Sequence, residues 1–311
     1  MVETAAPEVL TPQGEKSRGP VARRPRGRLT PYLLLLPGMA WLVVFFVVPT
    51  ASLASQSLQT GSPEAGYTLT WHFQTYLDAV GTYWPQFLRS IIYAGLATVF
   101  ALLLAYPLSY FIAQKAGRWK NLLLVLVIAP FFTSFLIRTL AWQIILTENG
   151  PVTWLFRTTH LTTLLQWIHL TGNDQLMGSP FAVVCGLTYN FLPFMILPLY
   201  ANLERLDHRY VEAAGDLYAS GLQTFRRVIW PLSLPGVVAG TLLTFIPAAG
   251  DYINSKLLGN TQTVMIGQVI DAQFLKVGDF AVAAALSFLL MIAIVAIVFA
   301  YVRRAGTEEL V

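Results

Sequence analysis

Six stretches of this chain, at about 32 to 53, 90 to 112, 121 to 146, 180 to 199, 235 to 253 and 281 to 301, are apolar almost without interruption. Each is long enough to cross the hydrocarbon of a bilayer as a helix, which takes roughly 20 residues. A soluble globule is excluded by the same pattern. Hydrophobic residues make up 55% of the 311 positions and charged residues only 12%, about half the charged share of a soluble domain. The expected fold is an all-α integral membrane bundle of six transmembrane helices.

Orientation follows from the connections. If the N-terminus is cytoplasmic, one side collects most of the 20 Lys and Arg residues: six in the first 30 positions, Lys115, Arg118 and Lys120, then Arg205, Arg209, Arg226 and Arg227, then Arg303 and Arg304. The other side holds Arg157, Lys256 and Lys276, with Arg89 and Arg138 near or inside spans. Both termini are therefore expected in the cytoplasm, with the protein multi-pass in the cytoplasmic membrane. Residues 1–30, with Pro7, Pro12, Pro20 and Pro25 among basic residues, read as a disordered tail. Residues 31–303 form the membrane domain and 304–311 a short cytoplasmic tail. A secretory signal also begins with basic residues and an apolar core, but such a core runs to roughly 7 to 15 residues, whereas Tyr32 to Leu53 is long enough to span.

Pro37, Pro49, Pro107, Pro130, Pro193, Pro198 and Pro247 fall within the apolar stretches. Each removes a backbone donor and frees a carbonyl that lipid cannot satisfy, so the helices are expected to pack on one another. Gly236 and Gly240 form a small-xxx-small pair, suited either to packing inside the chain or to a subunit contact. Cys185, the one cysteine, reads as a small packing residue. The sequence has no phosphate-cradling G-x-x-x-x-G-K-[ST], no G-x-G-x-x-G and no G-x-S-x-G. His72, His160, His169 and His208 are scattered. No catalytic set, no metal site, no bound cofactor and no nucleic-acid partner is expected.

The most informative stretch is the connection from Tyr200 to Leu234. Leu203, Leu206, Tyr210, Ala213, Ala214 and Leu217 recur at three- and four-residue steps and would share one face of a short helix. Its other side would show Glu204, Arg205, Asp207, Arg209, Glu212 and Asp216. Such a helix suits the headgroup layer, although its mixed charge argues against a role in lipid contact alone.

Glu212-Ala213-Ala214, followed by Asp216, Leu217, Ala219 and Ser220, then Arg227-Val228 and Pro231 to Gly236, resembles the EAA loop of ABC importer permeases. The resemblance extends to Thr133–Thr139 with Ala141-Trp142, to Glu148-Asn149-Gly150, to Tyr189–Tyr200 and to Phe245–Tyr252, which are similar to spermidine/putrescine permease subunits. It covers residues from about 30 to 303. Two positions depart from the family: Tyr218 where glycine usually forms the bend between coupling helices, and Trp230 where leucine usually precedes the proline. Tyrosine does not take a left-handed backbone cheaply, which leaves a bend of different shape or a compensating surface on the partner.

The resemblance implies a type I ABC importer permease that moves spermidine or putrescine by alternating access. Its partners would be a second permease subunit, two ATP-binding subunits that use ATP and Mg, and a periplasmic or lipid-anchored substrate-binding protein, all working in membrane lipid. Glu212, Ala213, Ala214, Asp216, Ala219, Ser220 and Pro231 would couple to the ATPase. Asp251 leads the candidates for the substrate pathway, with Tyr252 beside it, Glu148 second, and Trp142 and Tyr189 offering aromatic faces to an ammonium. Asp251 also suits a helix-end cap, and interfacial aromatics also anchor bundles. Arg138 is expected in a structural ion pair with Asp251 or Glu148; an unpaired Arg138 facing the cavity would instead favour an anionic or zwitterionic substrate. Competing classes are an ABC permease for another small solute, an ion-driven secondary carrier and an intramembrane enzyme.

Overall fold

The computed structural model describes residues 30–62, 66–159, 161, 162, 166, 171 and 175–305. The basic stretch before Thr30, the residues after Ala305, and His160 and His169 lie outside the described residues. The chain is mainly helical and divides into two compact units, one ending at Ala51 and the other starting at Ser52. The first unit is a helical rod built from α1 (Thr30–Leu42), a π turn (Val43–Val47) and the start of α2 (Val48–Ser57). From Leu34 to Val48 its leucines, valines and phenylalanines are exposed, as a surface solvated by lipid requires. Pro49 supplies no amide to the turn before it, and the Thr50 hydroxyl donates to the Phe46 carbonyl at 2.7 Å.

Three helices form the centre of the second unit: α3 (Gln74–Gln114), α7 (Pro180–Glu204) and α10 (Trp230–Ala249). On α3 the fully buried Ala94, Ala97, Ala101 and Ala105 recur at three- and four-residue steps and let α7 approach closely. On α10 a Cβ at Gly236 would lie 2.7 Å from Asn202 Cβ, and one at Gly240 would lie 2.7 Å from Met195 Sδ. This glycine pair therefore packs inside the chain, against α7. Hydrogen bonds follow the close approach. Tyr106 and Ser233 hydroxyls meet at 2.7 Å, and Ser109 donates to Ile196 O at 3.2 Å.

The remaining helices complete the unit. They are α4 (Lys120–Ile128), α5 (Phe135–Ile145), α6 (Pro151–Thr158), α8 (Arg209–Asp216), α9 (Gly221–Thr224), α11 (Ile253–Leu258), α12 (Ile266–Ala272) and α13 (Phe280–Ala305). Gln114 Nε2 donates to Leu203 O at 2.7 Å and Lys120 pairs with Glu204, so the ends of α3 and α7 and the start of α4 meet. With Ser233 of α10 held by Tyr106, the basic connections gather at one end of this unit. At the other end Arg89 Nη1 donates to Val264 O at 2.8 Å, and Ser90 Oγ accepts from the Ile266 amide at 2.7 Å.

Several expected boundaries are corrected. Among the described residues five helices are long and apolar enough to cross a membrane, and a sixth crossing requires counting a bent pair as one span. That pair, Gly117–Phe132 and Phe135–Ile145, turns by 93° where one helix was expected over 121–146. Pro130 weakens the ladder, and Thr133 and Ser134 take extended backbone at ψ 152° and 135°. The second span begins at Gln74 rather than 90, because its first turns bury Ala79 and Phe87 against other helices while exposing polar residues. At about 1.5 Å per residue its 41 residues outrun the bilayer core. Helical structure in the fifth begins at Gly221 and ends at Ala249, before Asp251. The all-α expectation also missed an antiparallel hairpin, β1 (Gln59–Ser62) with β2 (Gly66–Leu69), paired from Gln59↔Leu69 to Ser62↔Gly66.

Replacing Gly236 with valine should force α7 and α10 apart and lower stability by about 1–3 kcal/mol, the usual cost of overpacking a close contact. A thermal midpoint in detergent equal to that of the parent protein would contradict this packing.

Candidate functional site

The first candidate site is the connection at the basic end. α7 stops at Glu204, and the Arg209 amide donates to Asp207 Oδ1 at 3.0 Å as α8 starts. Leu203 therefore belongs to the span and Leu206 to the turn, so the single apolar helix face expected from Leu203 to Leu217 is broken. Tyr210 is 57% exposed and Leu217, just past the end of α8, is 82% exposed, so these two apolar side chains are uncovered among the described residues. Glu212, Ala213 and Asp216 are also exposed, Ala214 is buried and Ala219 half-buried. Neither carboxylate is in an ion pair among the described residues.

Tyr218 takes the left-handed backbone that its side chain disfavours, at φ 55°. The bend in this chain is therefore a left-handed one. The Tyr218 amide donates to Gly215 O at 2.9 Å and the Ala219 amide to Ala214 O at 3.0 Å, the paired bonds that close a helix on a left-handed residue. These bonds offset a steric penalty of about 1–2 kcal/mol. Ser220 then caps α9: its hydroxyl accepts from the Gln223 amide while the Gln223 side chain accepts from the Ser220 amide. Trp230 packs on Tyr106 and Phe225, with ring centroids 5.4 and 6.2 Å away, and Pro231 follows it in the first turn of α10.

The second candidate site is a polar track at the other end. Asp251 is 8% exposed and lies just past α10, where its Oδ1 accepts from the Asn254 amide at 2.8 Å. Burial pushes the Asp251 carboxyl up to about 6, against the opposing effect of the hydrogen bond from the Asn254 amide. Asn190 Nδ2 on α7 donates to Asn254 Oδ1 at 3.0 Å and to Thr139 Oγ1 on α5 at 3.1 Å. Asn190 Oδ1 and Asn254 Nδ2 remain buried without partners. Asn190 and Thr139 fall in segments that carry the family resemblance but had no site role from the sequence, and Asn254 lies outside those segments. An asparagine in the apolar run over 180–199 was the available signal, since a polar side chain in lipid is expensive.

The other anticipated residues divide among different surroundings. Trp142 and Tyr189 meet edge to face at 5.6 Å and line an apolar groove of about 620 Å³. Cys185 is half-buried on the wall of that groove. Glu148 lines a separate hollow of about 450 Å³ and accepts from the Gln175 side chain. Tyr252 is not a free aromatic face: Lys256 Nζ lies 5.6 Å from its ring centre and also pairs with Asp271 at 2.8 Å. That pair holds the Lys256 ammonium above its ordinary range. The expected ion pair of Arg138 is absent among the described residues. Arg138 is 9% exposed, its guanidinium carbon sits 4.2 Å from the Phe131 ring centre, and Nε and Nη1 have no hydrogen-bond partner. Asp251 and Glu148 are engaged by Asn254 and Gln175 instead.

Comparison with known proteins adds to this geometry. Residues 105–305 match the family described as binding-protein-dependent transport system inner membrane component. The chain is 37% identical over 258 residues to the spermidine/putrescine transport system permease protein PotB of Escherichia coli (strain K12), covering 82% of this chain and 90% of that protein. It is 33% identical over 265 residues to the PotB of Haemophilus influenzae, covering 85% and 90%. Among solved structures, a chain from a bacterial alginate ABC transporter, in complex with an alginate pentasaccharide-bound periplasmic protein, shares the fold at TM-score 0.64. Its sequence identity is 16%, with 90% of this chain and 94% of that chain covered. The helical second unit, its apolar spans and these matches together make the chain a member of the binding-protein-dependent transport system inner membrane component family, a multi-pass protein of the inner membrane.

Proposed function

We propose that this chain is one permease subunit of an ATP-driven importer for spermidine, putrescine or a similar polyamine. The observation that carries the reading is its 37% identity, across 82% of its length, to a spermidine/putrescine permease. The basic end of the second unit faces the cytoplasm in this reading, as the bias of Lys and Arg toward that side requires. Both termini are cytoplasmic, and the bent pair over 117–145 completes six crossings. A second permease, two ATP-binding subunits and a periplasmic or lipid-anchored binding protein complete the transporter. ATP and Mg belong to the ATP-binding subunits.

In this arrangement α8 and α9 are the handle. Glu212 and Asp216 are exposed beside the uncovered Tyr210 and Leu217, which suits a protein cleft better than water. Closure of the ATPase pair would press on the handle and, through Ser220, Pro231 and the continuous helix from Gly221 to Ala249, tilt α10 against α7. The far end of α10 is where Asp251 sits, so a push at the handle reaches the polar track. A polyamine ammonium leaving water needs charge or aromatic faces in exchange. Asp251 supplies the charge, and Trp142 with Tyr189 the faces. Glu148 is a second carboxylate near the entry, while Tyr252 acts through Lys256 rather than by direct contact.

Three outcomes test the reading. Glu212→Lys should abolish most ATP-dependent polyamine uptake in reconstituted vesicles without moving the thermal midpoint, since Glu212 is exposed and forms no ion pair among the described residues. Tyr218→Gly relieves the left-handed tyrosine and should raise the midpoint by the equivalent of about 1 kcal/mol; a lowered midpoint would contradict the bend. For Asp251, a raised carboxyl loses its charge as pH falls through about 6. Uptake should therefore decline below that pH in the parent protein, whereas Asp251→Asn should be slow throughout and lack that inflection. Equal rates for Asp251→Asn and the parent would remove Asp251 from the pathway.

A further inference from the structure

Arg138 is a buried cation without an anionic partner among the described residues. It is 9% exposed, Nε and Nη1 are buried without acceptors, and no described carboxylate pairs with it. The Phe131 and Phe135 rings, 4.2 and 5.7 Å from the guanidinium carbon, recover only part of what hydration would supply. Removing a guanidinium from water without an anion is unfavourable, and no described residue of this chain supplies the missing acceptor.

The surroundings identify its source. On the same bent pair Phe132 is 89%, Ile137 62% and Ile144 70% exposed, so Arg138 lies at the edge of an open apolar face. Aromatic and apolar side chains around an arginine are the composition of a contact centre between proteins. Lipid tails would cover the apolar residues but leave the guanidinium donors unmet. From Lys120, paired at the basic end, to the break after Phe132 is about 18 Å of helix, short of the roughly 30 Å hydrocarbon core. A cationic substrate has the wrong charge, and Arg138 is not among the residues lining the groove of Trp142 and Tyr189.

We infer that the exposed face of α5 is the seat of the second permease subunit, and that a carboxylate from that subunit's membrane helices completes Arg138. The inference rests on the two-permease reading above. The test isolates the tagged full chain from membranes that also make the second permease and the ATP-binding subunits. Arg138→Met should cut recovery of the second permease roughly tenfold or more, as expected for breaking a buried pair, with Arg138→Lys retaining more than Arg138→Met. The thermal midpoint of the Arg138→Met chain purified by itself should be equal to or above the parent's, because an unpaired charge has been removed. Arg138→Glu should assemble again only when one acidic residue in the partner's membrane helices is replaced by arginine. Full recovery of the second permease with Arg138→Met overturns the inference. So does loss of a bound phospholipid from Arg138→Met, by native mass spectrometry, with the second permease still present. A lowered midpoint of the isolated variant would place the anion within the chain and overturn it as well. If the parent chain recovers no second permease, the two-permease reading fails and takes this inference with it.

Discussion

The close contact of α3, α7 and α10 is the constraint on which the rest of the second unit depends. In a bilayer, burying apolar surface between helices gives little drive, because lipid tails are as apolar as leucine. Dispersion between closely approaching backbones and hydrogen bonds between polar groups must hold the helices together. Ala94, Ala97, Ala101 and Ala105 on one side, and Gly236 and Gly240 on the other, supply the approach. Tyr106 with Ser233, Ser109 with Ile196 O and Gln114 with Leu203 O supply the bonds. Larger residues along these lines would separate the helices and leave the polar groups in lipid without partners.

This contact also defines the geometry of the two candidate sites. The ends of α3 and α7 meet at the basic end, where Lys120 and Glu204 pair and the loop to α9 begins. At the opposite end α7 presents Asn190 toward Thr139 and Asn254, and Asn254 holds Asp251. Because α10 runs between these ends as a helix, the proposed handle and the proposed pathway share one rigid element. In the proposed reading, force applied at one site reaches the other through this element.

Features that are awkward in a lone chain have a common physical sense in the proposed assembly. Leu217 and Tyr218 are open at the tip of a charged loop, and Tyr218 holds a backbone conformation that glycine would adopt more easily. Arg138 is buried without an anion among the described residues, beside an uncovered apolar face. Exposed apolar tips and incomplete charges of this kind are stabilised by partner surfaces rather than by water or lipid.

The amino-acid sequence by itself determined the solvent, the number of apolar stretches, the basic bias of one set of connections and the charged loop carrying Glu212, because these follow from local composition and spacing. The EAA-like order of residues was equally legible. Long-range packing decided the rest. The length of α3 beyond its apolar part and the union of Asn190 with Asn254 depend on neighbours distant in the chain, to which hydropathy is blind, and the break at Thr133 and Ser134 follows Pro130 without any change in hydropathy. Pairing of charges is the clearest case. Asp251, Glu148 and Arg138 look complementary as letters, yet Asp251 is held by the Asn254 amide, Glu148 by Gln175, and Arg138 rests on Phe131. Which polar groups meet is set by helix direction and by the 93° bend, and neither is written in any single segment.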